Sequence, residues 1–182
     1  MRKENKLTPL QYTPTRRQAF AGVAVAVGGL AAGASVWGKP PQEMTEAQSA
    51  GVEGLLTYLH QEVDFKASPQ RIYEALLDYQ QFSSFSGLSA EINRQEGGAF
   101  SLFGARILGR NVELVPNRRI VQAWRPASWD PGVYSIVKFE LKEQGGHSTI
   151  VFDHTGFPEG SYRHLAQGWH ERYWEPLRKF LV

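Results

Sequence analysis

Apolar Leu59, Val63 and Phe65 alternate with His60, Glu62 and Asp64, and Gln61 is the polar interruption on the apolar side. A period of two marks a strand with one buried face. The pattern stops at Ser68-Pro69, where serine at the N-cap and proline at the first helical position open a helix. Ile72, Leu76 and Tyr79 give that helix an apolar face, which Ala75 and Leu77 widen. A short helical or irregular piece carries Phe82, Phe85 and Leu88, and strand-like segments then run almost without pause to residue 154. Gly97-Gly98 and Gln144-Gly145-Gly146 predict hairpin turns and Pro116-Asn117 another turn, while Gly104 and Gly109 predict a turn and a bulge.

Of two late strands, the first alternates clearly and the second less cleanly. From Tyr134 to Lys142, Ser135, Val137, Phe139 and Leu141 share one face, and Lys138, Glu140 and Lys142 the other. From His147 to His154, Ile150, Phe152 and His154 fall on the expected inner face. The tail from Ser161 to Val182 is helical in period, with Leu165, Trp169, Tyr173, Leu177 and Leu181 at steps of four. Pro176 lacks a backbone donor, so a kink is expected near Arg172, and Gly168 predicts a close approach of the helix to a neighbour. One strand, short helices, consecutive antiparallel strands and a long last helix leave few packing solutions. The class is α+β, a helix-grip fold in which a curved antiparallel sheet wraps around the C-terminal helix.

The N-terminal third differs in kind. Thr15-Arg16-Arg17-Gln18-Ala19-Phe20 leads into a segment without charge from Gln18 to Gly38, rich in Ala and Gly. Basic residues, an apolar stretch and a small-residue exit make up an export signal, and Arg16-Arg17 with Phe20 resemble the twin-arginine type, with Ala32-Gly33-Ala34 as a cleavage site. Export to the periplasm is expected. The alternative is an uncleaved anchor in the inner membrane formed by residues 18–38, the one route by which the chain would touch a membrane. Residues 35–55, with Lys39-Pro40-Pro41, predict a linker, and residues 56–182 the domain.

Composition removes several chemistries. The 182 residues include no Cys, which excludes a disulfide framework, thiolate catalysis and Cys-ligated metal. The formal charge of +2 is uneven, because residues 1–34 carry five basic residues against Glu4 and the remainder is slightly acidic. A nucleic-acid partner would need a basic face, and none is predicted. No phosphate loop, dinucleotide fingerprint or Gly-x-Ser-x-Gly elbow occurs, and no cofactor is expected. His147, His154, His164 and His170 lie near the C-terminus, yet His164 and His170 are six apart on a helix and face nearly opposite ways, so no metal site is expected.

Gly97 to Gly104, Ile107, Gly109, Glu113 to Pro116, Arg119 to Arg125, Trp129, Tyr134-Ser135, Gly168-Trp169 and Tyr173-Trp174 together resemble the C-terminal domain of the activator of heat-shock protein 90 ATPase. The likeness covers roughly residues 56–182. It implies a START-like, birch-pollen-allergen-like fold whose sheet and long helix enclose an apolar cavity. The eukaryotic activators carry a separate N-terminal domain for much of their chaperone contact, and residues 1–55 are too few for it.

Candidate chemistry is sparse. His154 beside Asp153 reads either as a general base at a cavity mouth or as a histidine capping a strand end through backbone hydrogen bonds. Any one of Trp124, Phe139, Phe152, His154, Trp169 and Tyr173 reads first as core, but the fold that the resemblance implies makes the set the candidate cavity lining. Three functions compete: a non-catalytic binder of a small hydrophobic ligand, a cytoplasmic interaction domain with a chaperone-like protein partner, and a cyclase- or hydrolase-like enzyme drawing on His154, Gln122 and Tyr173.

Overall fold

The structure is a computed structural model that describes Gly51 and residues 53–182. The export segment expected at residues 1–34, with Arg16, Arg17 and Phe20, and the lead-in as far as residue 50 lie outside the described residues. At its end the lead-in turns helical, and Glu53 pairs with Arg163 at 2.9 Å.

Seven strands form one antiparallel sheet in the order β1-β7-β6-β5-β4-β3-β2, with β1 at Tyr58–Phe65, β2 at Glu91–Ile92, β3 at Ala99–Leu102, β4 at Ile107–Val115, β5 at Arg119–Pro126, β6 at Ser135–Gln144 and β7 at His147–Thr155. Helices α1 (Pro69–Leu77) and α2 (Tyr79–Ser86) carry the chain from one edge of the sheet to the other. The last helix runs as α3 (Tyr162–Trp169), a π-helical turn (His170–Trp174) and α4 (Glu175–Phe180). This is the α+β helix-grip arrangement.

Period two places the inner residues in register. Val137 lies opposite His154 and Phe139 opposite Phe152 across β6 and β7, Leu59 lies opposite His154 across β1 and β7, and Trp124 pairs with Ser135 across β5 and β6. All of these side chains are buried, and the C-terminal helix covers them with Leu165, Trp169, Tyr173, Trp174, Leu177 and Leu181.

The π turn has an identifiable cause. Pro176 cannot donate to the carbonyl of Arg172, and the ladder widens so that the Glu175 N–H bonds to the His170 carbonyl, five residues back. The extra residue in that turn lets the adjacent Tyr173 and Trp174 both face inward. Trp174 then donates its indole N–H to Gln61 Oε1 at 2.6 Å, which explains a glutamine on the apolar side of β1.

Four local expectations need correction. Tyr79 is exposed: α1 ends at Leu77 because Asp78 caps a new helix by accepting from the Gln80 and Gln81 N–H groups, and Tyr73 is buried in α1 instead. Leu88 is also exposed. Gly109 marks no bulge; a Cβ there would lie 2.2 Å from the Ala123 carbonyl oxygen and 2.2 Å from the Phe100 ring, so glycine is needed for close packing in β4, and the register shift falls between Asn111 and Glu113. Gly168 allows no close approach, because a Cβ at that position would meet nothing within 4 Å.

Candidate functional site

Trp169 is the hub of the interior. Its ring centroid lies 5.4 Å from Trp124, 5.8 Å from Phe139, 4.3 Å from Phe152, 5.7 Å from His154 and 4.2 Å from Tyr173. The six residues singled out from the sequence therefore meet around one indole. They do not share one role. Trp124, Trp169 and Tyr173 face a cleft of about 480 Å³ between the C-terminal helix, β5 and the segments that flank β4 and β5, whereas Phe139, Phe152 and His154 pack behind Trp169.

His154 is fully buried, and the network around it assigns its tautomer. An indole N–H can only donate, so Trp169 Nε1 donates to His154 Nδ1 at 3.0 Å. His154 Nε2 must then carry the proton and donates to Ser135 Oγ at 2.7 Å, and Ser135 Oγ donates to the Trp124 carbonyl at 2.9 Å. Burial lowers the imidazole pKa to about 3, so the ring stays neutral. The ring points inward as its period with Ile150 and Phe152 requires, but both of its nitrogens are engaged. It is a structural tie between helix and sheet rather than a base, and it makes no backbone cap.

Gln122 is likewise committed elsewhere, donating to Asn111 Oδ1 at 2.9 Å, while Asn111 donates to the Asn93 carbonyl at 2.8 Å. His154, Gln122 and Tyr173 therefore form no shared constellation. Among the described residues no group of three His, Asp or Glu side chains could hold a metal ion.

The floor of the cleft carries a different signal. Trp124 and Tyr173 are only 4% and 5% exposed, yet Trp124 Nε1 and the Tyr173 hydroxyl have no hydrogen-bond partner among the described residues. The indole N–H lies close enough to the phenol to favour its ionised form slightly, but outside bonding geometry, and burial raises the phenol pKa well above its ordinary value. Leaving a buried donor unpaired costs about 1–3 kcal/mol. The other two indoles of the core have partners, Trp169 in His154 and Trp174 in Gln61.

Sequence reading missed the rest of the cleft. Phe103 enters it from a turn in which Phe103, Gly104 and Ala105 all have positive φ, held by a bond from the Gly104 N–H to the Ser89 carbonyl. A left-handed phenylalanine costs about 1–2 kcal/mol, and this one packs its ring 5.1 Å from Tyr173 and 5.2 Å from Phe82. Trp129 supplies a wall, with its ring 6.1 Å from Trp124. Arg106, His164 and Arg172 stand exposed at the rim. The available signal was His164, Gly168 and Arg172, a second stripe at steps of four beside Leu165, Trp169 and Tyr173.

A family model described as "Activator of Hsp90 ATPase homolog 1-like protein" matches residues 66–181. The human activator of 90 kDa heat shock protein ATPase homolog 1 is 24% identical over 141 residues, 78% of this chain and 42% of its own length. The homologue from Dictyostelium discoideum is 33% identical over 107 residues, 58% of this chain and 28% of its own. The chain thus spans less than half the length of these curated relatives. The crystal structure of an HSP90 activator from Plasmodium falciparum superposes with a TM-score of 0.61 at 23% identity, covering 66% of this chain and 91% of that one, a likeness of fold. By the match over residues 66–181, the chain belongs to the activator of Hsp90 ATPase homolog 1-like family.

Proposed function

We propose that this protein is a non-catalytic binder of a small, largely apolar ligand, held in the cleft between the sheet and the C-terminal helix. The observation that carries this reading is the pair of buried polar atoms without partners, Trp124 Nε1 and the Tyr173 hydroxyl, which belong to two residues that line a cleft of about 480 Å³. That volume suits a small organic molecule. A small shift of either ring would open both groups to the cleft, where a ligand oxygen would accept from the indole N–H and the phenol O–H and remove the cost of both orphans. Trp129 and Phe103 line the same cleft and supply aromatic surface for the ligand body.

Binding of phenylnaphthylamine, an uncharged apolar fluorophore, tests the reading. A micromolar Kd, about −8 kcal/mol, is expected of the native protein without added metal or nucleotide. No binding of this probe or of a charged analogue, together with no small molecule retained in native mass spectra of protein from its own host, would refute it.

A second reading is an interaction domain for a chaperone-like protein partner, favoured by the relatives named as activators of a heat-shock protein ATPase. Residues 1–34 separate the two. We infer that they direct export by the twin-arginine route, supported by Arg16-Arg17 and Phe20 before an uncharged stretch. Retention in the cytoplasm would favour the second reading, and an uncleaved segment at residues 18–38 would leave the domain anchored at the inner membrane.

A further inference from the structure

We infer that the occupant of the cleft is an amphipathic anion, an organic acid whose carbon body lies against the indoles and whose acid group sits at the Arg106 and Arg172 rim. This inference rests on the cleft being a ligand site and adds the chemical class of the ligand. The charge around the opening is one-sided. Arg106 comes from the segment just before β4, and His164 and Arg172 come from the C-terminal helix, two turns apart. No Asp or Glu lines the cleft, and among the described residues neither Arg106 nor Arg172 has a carboxylate within ion-pair distance. Four of the other eight described arginines are paired with carboxylates: Arg94 with Glu74, Arg119 with Glu113, Arg163 with Glu53 and Arg178 with Glu175.

The positive end of α3 adds to this, since Gly160 and Ser161 line the cleft and Ser161 makes no side-chain cap bond. The folded part is slightly acidic overall, so this cationic opening runs against the net charge of its surroundings. A cleft lined by one sign of charge over low-dielectric walls draws in the opposite sign. The two ends of the ligand are thereby specified. An oxygen meets Trp124 Nε1 and the Tyr173 hydroxyl at the buried end, and an acid group meets two guanidinium forks, which suit planar or tetrahedral oxyanions, at the wet end.

The test compares two fluorophores that share one carbon frame, anilinonaphthalene sulfonate and uncharged phenylnaphthylamine, titrated into the folded full chain at low and high salt. We expect the sulfonate to bind about tenfold more tightly at low salt, with the difference shrinking as salt rises. Replacing both exposed arginines, Arg106→Gln with Arg172→Gln, should remove the difference by bringing the affinity for the sulfonate down to that for phenylnaphthylamine in the same variant. Equal affinity for the two probes in the native protein, or a sulfonate preference that survives the double substitution, would overturn the anionic assignment while leaving the apolar binder intact. Failure of both probes to bind, together with no small molecule retained in native mass spectra, would overturn the ligand reading itself.

Discussion

The Trp169 indole nitrogen donates to His154 Nδ1 at 3.0 Å, and this bond ties the C-terminal helix to β7 at the centre of the molecule. The same imidazole passes the chain of donors on through Ser135 to the carbonyl of Trp124. One histidine thus couples the covering helix to three neighbouring strands, and it does so only as the neutral ring.

Acid should therefore weaken the fold through His154. Its folded pKa is lowered from 6.5 to about 3, so the unfolded chain takes up the proton first. The contribution is complete above the unfolded value and is lost as pH falls from there towards the folded one, at about 1.4 kcal/mol per pH unit for one proton. Urea denaturation in the upper part of that window, from about pH 6.5 to about pH 5 and so above the range where carboxylates such as Asp153 add a loss of the same sign, should approach this slope, while the His154 ring-proton shifts stay constant. A His154 resonance that titrates at its ordinary pKa in the folded protein would contradict the assigned network.

Two substitutions at Trp169 separate packing from hydrogen bonding. Trp169→Ala should cost about 3–5 kcal/mol as a large-to-small change in the core. Trp169→Phe keeps much of the ring but strands His154 Nδ1, and should cost about 1–3 kcal/mol. Chemical denaturation measures both; a loss below about 1 kcal/mol for the alanine variant would contradict the grip of the helix on the sheet.

Gly168 offers a substitution that should raise stability and remove function together. Its Cβ would meet nothing within 4 Å, and the position lines the cleft inside α3. Gly168→Leu should leave the fold unharmed, with a gain of up to about 1 kcal/mol from helix propensity, and should abolish phenylnaphthylamine binding by filling the opening. Undiminished binding in a stable variant would place the ligand elsewhere.

Replacing Arg16 and Arg17 with lysine should keep the protein in the cytoplasm with residues 1–34 attached, as read by fractionation and intact mass. Export that survives the change would refute a twin-arginine signal.

What the sequence disclosed follows from periodicity. Val137 and Phe139 alternate cleanly because one face of β6 is dry, whereas β7 buries Ser148 to Phe152 without a break and shows its inner residues Ile150, Phe152 and His154 less cleanly; Pro176 announces its distortion because the missing donor acts locally. Tyr79 misled because the helical period runs on through Asp78, whose side chain restarts the helix. The rim was hidden for another reason: Arg106 and Arg172 belong to elements far apart in the chain, and only the closed sheet and helix bring them to one opening. Phe103 gives no periodic signal, since it enters from a left-handed turn. The orphaned indole of Trp124 could not be inferred at all, because satisfaction of a polar atom depends on every neighbour it has.

The Trp124 indole proton is the most direct witness to the ligand site. In nitrogen-resolved proton spectra, with the resonance assigned by its loss in Trp124→Phe, titration with 6-acetyl-2-naphthoate, which carries a carboxylate at one end and a ketone oxygen at the other, should move the Trp124 N–H downfield and slow its exchange with water, because it gains the acceptor it lacks. The Trp174 N–H, already bonded to Gln61, should keep its exchange rate. A Trp124 resonance unchanged in position and exchange while the probe binds would contradict the proposed site.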